Sequence, residues 1–140
     1  MKNPFKRAQK LKVSGFSSLI ACGTVVTGDV SFHGVLMVDG SITGEVIGWG
    51  NESICTGTNC LVVSEGATVF SESIHVTDLV IAGHVSGNSP SIVVKGTLKV
   101  LKTGKIEDAK ITYGQLEIET GAKIHNCQLN MVQEQDVDPK

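Results

Sequence analysis

The residues able to do chemistry in this chain are few and scattered. Four histidines, His33, His75, His84 and His125, mostly alternate with apolar residues, the placement of exposed strand side chains rather than of a general base. Cys22, Cys55, Cys60 and Cys127 form no C-x-x-C pair, and with the histidines dispersed they make no zinc motif. They read as buried or incidental thiols of a reducing cytosol. The adjacent acids Glu107 and Asp108 look like a turn, and the other carboxylates lie singly along the chain. Glycine-rich stretches lack the lysine and helix start of a phosphate-binding loop, and the Gly-Gly-x-Gly-x-Asp repeat of calcium-binding rolls is missing. No catalytic residue, metal ligand or cofactor is expected.

The elements that would have to position such residues say more. From Val26 to Val46 every even position is apolar or glycine, while Asp29, Asp39 and Glu45 sit at odd positions. This is a strand period of two, held far longer than the ~3 to 10 residues of ordinary strands, so the chain must bend repeatedly while keeping one side inward. A hairpin at Asp39-Gly40 would set Val38 against Ser41 and Leu36 against Thr43, placing polar residues on the buried side of the second strand. A ribbon wound in one direction keeps all the even positions inside. The alternation therefore predicts an all-β solenoid with glycines at its bends.

Longer repeats support the winding. Aliphatic pairs recur at Leu36/Val38, Leu61/Val63, Leu79/Ile81, Leu98/Val100 and Leu116/Ile118. A second ladder runs through Gly66, Gly83, Gly104 and Gly121, followed by Val69, Val85, Ile106 and Ile124. A third comprises Ile74/Val76, Ile92/Val94, Ile111 and Leu129/Met131. Three short strands per repeat of about 18 residues describe a triangular coil of about six windings. The period breaks between Leu36 and Leu61, which predicts an inserted loop around Trp49, and at Asn88-Ser89-Pro90, a looser corner. Trp49 in its glycine-rich surroundings reads as a side chain folded over the coil or as a contact site.

A single domain is expected for 140 residues, only 4% of them aromatic. Its net charge of −2 hides an asymmetry: Lys2, Lys6, Arg7, Lys10 and Lys12 give the first twelve residues +5, leaving −7 for the rest. Residues 1–16 read as a disordered basic arm, 17–131 as the solenoid and 132–140 as a disordered acidic tail. Only the arm should seek anionic partners, so nucleic acid is not expected. Anionic lipid is: the five cations attract it, and Phe5 and Leu11 can insert. No apolar run approaches the ~18 to 20 residues of a spanning helix, so the expected location is cytoplasmic, peripheral to the inner face of the membrane.

A solenoid buries its core by stacking winding on winding, so an end without a cap exposes strand edges and an apolar cross-section. Here the last winding finishes with Ile124, Cys127, Leu129 and Met131, and the first begins with Phe16, Leu19 and Ile20, with no cap in the sequence at either end. These seven residues are the expected end-to-end contact between copies of the chain.

The stretches Ser18–Gly34, Leu61–Val69 and Leu79–Asn88 resemble the bactofilin domain, and the resemblance spans about residues 17 to 131. It implies a right-handed parallel β-helix that polymerises without nucleotide into bacterial cytoskeletal filaments. It further implies membrane attachment through the N-terminal segment, and cell-wall or morphogenesis proteins as partners in cell shape. The Trp49 loop and the Cys55/Cys60 pair depart from the family pattern. Two other readings compete. Gly28, Gly34 and Gly40 have the spacing of hexapeptide-repeat acyltransferases, but the hexad dissolves after Val46. Leu19-Ile20-Ala21-Cys22 matches a lipoprotein cleavage site, which would lipidate Cys22, but the region before it is too polar.

Overall fold

A computed structural model of the chain describes residues 16–48 and 59–131, with side chains from Ser18 onward. The arm residues Lys2, Phe5, Lys6, Arg7, Lys10, Leu11 and Lys12, the Trp49 loop with Cys55, and the tail lie outside the described residues.

The described chain is a parallel β-solenoid of six windings. The first winding is β1 (Phe16–Ile20), β2 (Val25–Thr27) and β3 (Val30–Phe32), and the second is β4 (Val35–Val38), β5 (Ser41–Thr43) and β6 (Val46–Gly48). The third is β7 (Cys60–Val63), β8 (Thr68–Phe70) and β9 (Ser73–Val76). Then come β10 (Asp78–Ile81), β11 (His84–Ser86) and β12 (Ser91–Val100), which closes the fourth winding and turns the corner into the fifth. With β13 (Lys105–Glu107), β14 (Lys110–Ile118) turns the next corner, and β15 (Lys123–His125) and β16 (Gln128–Met131) complete the sixth. β1 opens at Phe16, one residue inside the stretch expected to be arm.

Alternation and register make the three faces. Leu36 pairs in register with Leu61 although 25 residues separate them, and Leu61, Leu79, Leu98 and Leu116 continue the column. The second face stacks Val26, Ile42, Val69, Val85, Ile106 and Ile124. The third stacks Val30, Val46, Ile74, Ile92, Ile111 and Leu129. Odd positions of the opening stretch, such as Thr27, Asp29, Ser31 and His33, are exposed. Asp39-Gly40 is a corner between parallel neighbours, not a hairpin.

The corners absorb the differences in winding length. Between the first two faces, Ser64–Ala67 forms a four-residue turn closed by Ala67 N donating to Ser64 O at 2.9 Å. Gly66 in it has φ +88°, which a side-chain-bearing residue rarely adopts. The shorter Ala82-Gly83 corner nests on this turn: both amides donate to Val63 O, and a Cβ on Gly83 would collide with the carbonyl oxygens of Ser64 and Ala67. Between the second and third faces two residues usually suffice, but Gly87–Pro90 uses four, the looser corner expected there, with Ser89 at φ 51°.

Stability thus rests on aliphatic columns, with Phe32 the one buried aromatic among the described residues. Leu79 is fully buried between Leu61 and Leu98. Leu79→Ala should lower the unfolding free energy by about 2 to 5 kcal/mol, read from denaturant melts.

Candidate assembly interface

An aliphatic side chain in a solenoid is buried from above and below by its column. Val100 and Ile111, one winding from the C-terminal end, are 0% exposed. Their register partners in the sixth winding are Ile118, 46% exposed, and Leu129, 39% exposed; Met131, stacked on Tyr113, reaches 61%. The chemistry of the column is unchanged from winding to winding. What the last winding lacks is the next one. Leu116, Ile124 and Cys127 are partly buried beside them, with Cys127 Sγ donating to His125 O at 3.2 Å. Ile124, Cys127, Leu129 and Met131 are therefore brought onto one end surface, together with Leu116 and Ile118.

At the other end Ile20, Val26 and Val30 pack against the core and are only partly buried, and the Phe16 backbone pairs with Val35. Leu19 belongs elsewhere. Its register partner is Met37 on the outside of the first face, and it is 45% exposed there, so it lies on the flank and not in the end cross-section. The strands of the first and sixth windings each have a neighbouring strand on one side only among the described residues, leaving a free edge of backbone donors and acceptors. Apolar cross-section and open edge coincide at both ends. Arginine at either aliphatic position should be incompatible with such a contact: Leu129→Arg or Met131→Arg should release short oligomers by sedimentation while the β-sheet circular dichroism stays intact.

Among the described residues Asn59 and Ser71 are the buried polar side chains, Asn59 Oδ1 accepting from Thr77 N at 2.7 Å and Ser71 Oγ donating to Ser73 O at 2.8 Å, while the charged groups lie outside the coil. On the outside of the second face Glu107 Oε1 lies 3.0 Å from His84 Nε2 and Oε2 lies 3.2 Å from Lys105 Nζ. The His84 hydrogen bond, then the one from Lys105, holds the Glu107 carboxyl below its usual range. Its stabilising contribution is present above the ordinary carboxylate range and lost as pH falls through the depressed value; exposure keeps it small. His84→Ala should raise the Glu107 titration midpoint, read by solid-state carbon NMR of the carboxyl. Burial, and then the Asp78 charge, push the Cys60 thiol up, away from the reactive thiolate. Cys22 is exposed in the first corner. Among the described residues no three His, Cys, Asp or Glu are grouped to hold a metal ion. An open groove along the corners between the second and third faces brings Asp108 and Asn126 together, but these hydrogen-bond each other at 2.8 Å. No helix among the described residues is long and apolar enough to cross a membrane.

The described residues form a solenoid with apolar side chains exposed at its last winding, and known proteins share this fold. Residues 18–128 match the bactofilin family model, described as polymer-forming cytoskeletal. The chain belongs to the bactofilin family. Its fold also matches the Thermus thermophilus bactofilin seen by cryo-EM in double helical filaments, with a TM-score of 0.62 and 20% identity over 81% of this chain and 99% of that one. A comparison with curated proteins returned no match. Bactofilin membership makes the chain a polymer-forming cytoskeletal protein, one that assembles with copies of itself.

Proposed function

We propose that this bactofilin is a non-enzymatic scaffold whose solenoids join end to end, without nucleotide, into filaments held beneath the cytoplasmic membrane by the basic arm. The carrying observation is the change from 0% exposure at Val100 and Ile111 to 46% and 39% at Ile118 and Leu129. A second copy supplies the missing winding. Burying the half of Ile118, Leu129 and Met131 that is still exposed is worth roughly 1 kcal/mol each, which with the paired edges favours association. No phosphate-binding loop stands in the sequence to couple this to nucleotide.

The arm supports the membrane part. Lys2, Lys6, Arg7, Lys10 and Lys12 contribute about 1 kcal/mol each near an anionic leaflet, and Phe5 and Leu11 add insertion. One arm binds weakly. A filament displaying many arms binds through avidity, so assembly and attachment reinforce each other. A membrane-bound filament is suited to organising cell shape or cell-wall proteins. As in the relative, two filaments wind together.

The competing readings lose support in the fold. Successive windings differ, with 16 residues from Val26 to Ile42 and 21 from Val85 to Ile106, which no hexad sustains. Cleavage before Cys22 would remove β1, which pairs with β4. Deleting residues 2–12 should abolish pelleting with anionic liposomes while filaments persist by electron microscopy without ATP or GTP. Unchanged liposome binding would contradict the role of the arm, and monomers alone from the intact chain would contradict the scaffold.

A further inference from the structure

The outside of the first face keeps an apolar column only where the coil is acidic. Register places Leu19, Met37, Val62 and Val80 in one outward column over the first four windings, and the column then turns to Lys99 and Glu117. Leu19 is 45% exposed and the other three are half-buried. An outward column of the second face turns polar at its second rung, Val25 then Ser41. Beside the apolar strip stand Asp39 and Glu65 at the corner that follows it, and Asp78 at the start of β10. Both ion pairs among the described residues involve Glu107, so none of these three acids has a cation partner there. Charge along the chain completes the pattern. Between Lys12 and Lys95 there are seven acids and no lysine or arginine, whereas residues 95–131 have six lysines against four acids. Residues 1–12, at +5, lead into the acidic windings, and residues 132–140, with Glu134, Asp136, Asp138 and Lys140 giving −2, follow the basic ones. Each terminal segment is opposite in charge to the windings it adjoins.

We infer that this strip is the docking site of the chain's own residues 1–15, which leave it when the arm engages an anionic leaflet. Phe5, Leu11 and Val13 supply apolar side chains for its rungs, and the five cations of the arm meet its three acids. The arm joins the solenoid at Phe16, whose backbone pairs with Val35 on the same face. Extended, residues 1–15 reach ~50 Å, against ~14 Å for the three rung spacings between Leu19 and Val80. Four side chains offer at most a few hundred Å², room for a short segment and well below the ~800 Å² per partner of a stable complex between folded proteins. Tethering to the same chain supplies the effective concentration that so small a contact needs. The consequence for lipid rests on the membrane role proposed for the arm. An arm held on the strip is withdrawn from the leaflet, so the apparent affinity for membrane scales with the fraction of arms undocked.

The test uses the purified full chain with a photo-activated benzophenone amino acid in place of Phe5. Isotopically heavy and light protein are co-assembled, so that contacts within one copy are told from contacts between copies. Cross-links within one copy should fall on the outer first face, at residues 35–39, 60–65 or 78–80. Val62→Gln combined with Val80→Gln removes the centre of the strip and keeps both the charge and the inward columns. It should cut these cross-links about tenfold and tighten binding to vesicles of equal phosphatidylglycerol and phosphatidylcholine about tenfold, with the β-sheet circular dichroism unchanged. If that signal is lost, Met37→Gln alone gives the same two readouts. Cross-links that fall elsewhere on the coil, or only between copies, overturn the inference, as does vesicle binding that the substitutions leave unchanged. An intact chain that does not bind the vesicles contradicts the membrane role of the arm instead, and the cross-links then decide the docking by themselves.

Discussion

The structure depends on one packing constraint: an aliphatic side chain in a narrow coil is covered by its own column, rung above and rung below. Among the described residues a single aromatic, Phe32, is buried with these columns, and no second layer shares the load. Ile81, Val85 and Ile92 are 0% exposed because each is flanked by a neighbour of similar shape one winding on either side. A core built this way has no natural terminus. It continues until something caps it, and at the described ends of this chain the columns simply stop. The proposed association between copies through these ends is then the same physics as folding, carried across a chain break.

That continuity separates the coil's two sides. The inner columns hold the fold and, at the ends, form the apolar surface proposed as the polymer contact. The outer columns are free to vary, and they do: the His84, Lys105 and Glu107 cluster solvates the second face, while the first face keeps four aliphatic rungs. Charge follows the same division along the axis. Between Lys12 and Lys95 the sequence has no lysine or arginine, and the body's basic residues gather in the last windings and the arm.

Much of this was legible in the sequence because the solenoid writes its core as a strict period. The unbroken even-numbered alternation from Val26 to Val46 passes through five strands and their corners, and the three aliphatic ladders are the three faces in register. The end surface is less legible: hydrophobicity alone puts Leu19 there, yet the same alternation carried back from Val26 puts Ile20 inside and Leu19 outside. Ile118 stood in the Leu116/Ile118 pair of the first ladder, so the signal for its place at the end was present in the column itself. The pairing of His84 with Glu107, 23 residues apart, was not legible, since it depends on corner lengths that vary from winding to winding.

The central claim is that the solenoid continues from one subunit into the next. X-ray fibre diffraction from filaments of the intact chain, oriented and assembled without nucleotide, addresses it directly. Continuation of the coil predicts a meridional reflection near 4.8 Å, with an axial rise per subunit of about 29 Å, six windings laid on one axis. Strands lying along the fibre instead of across it, or a rise per subunit far from six windings, would contradict it.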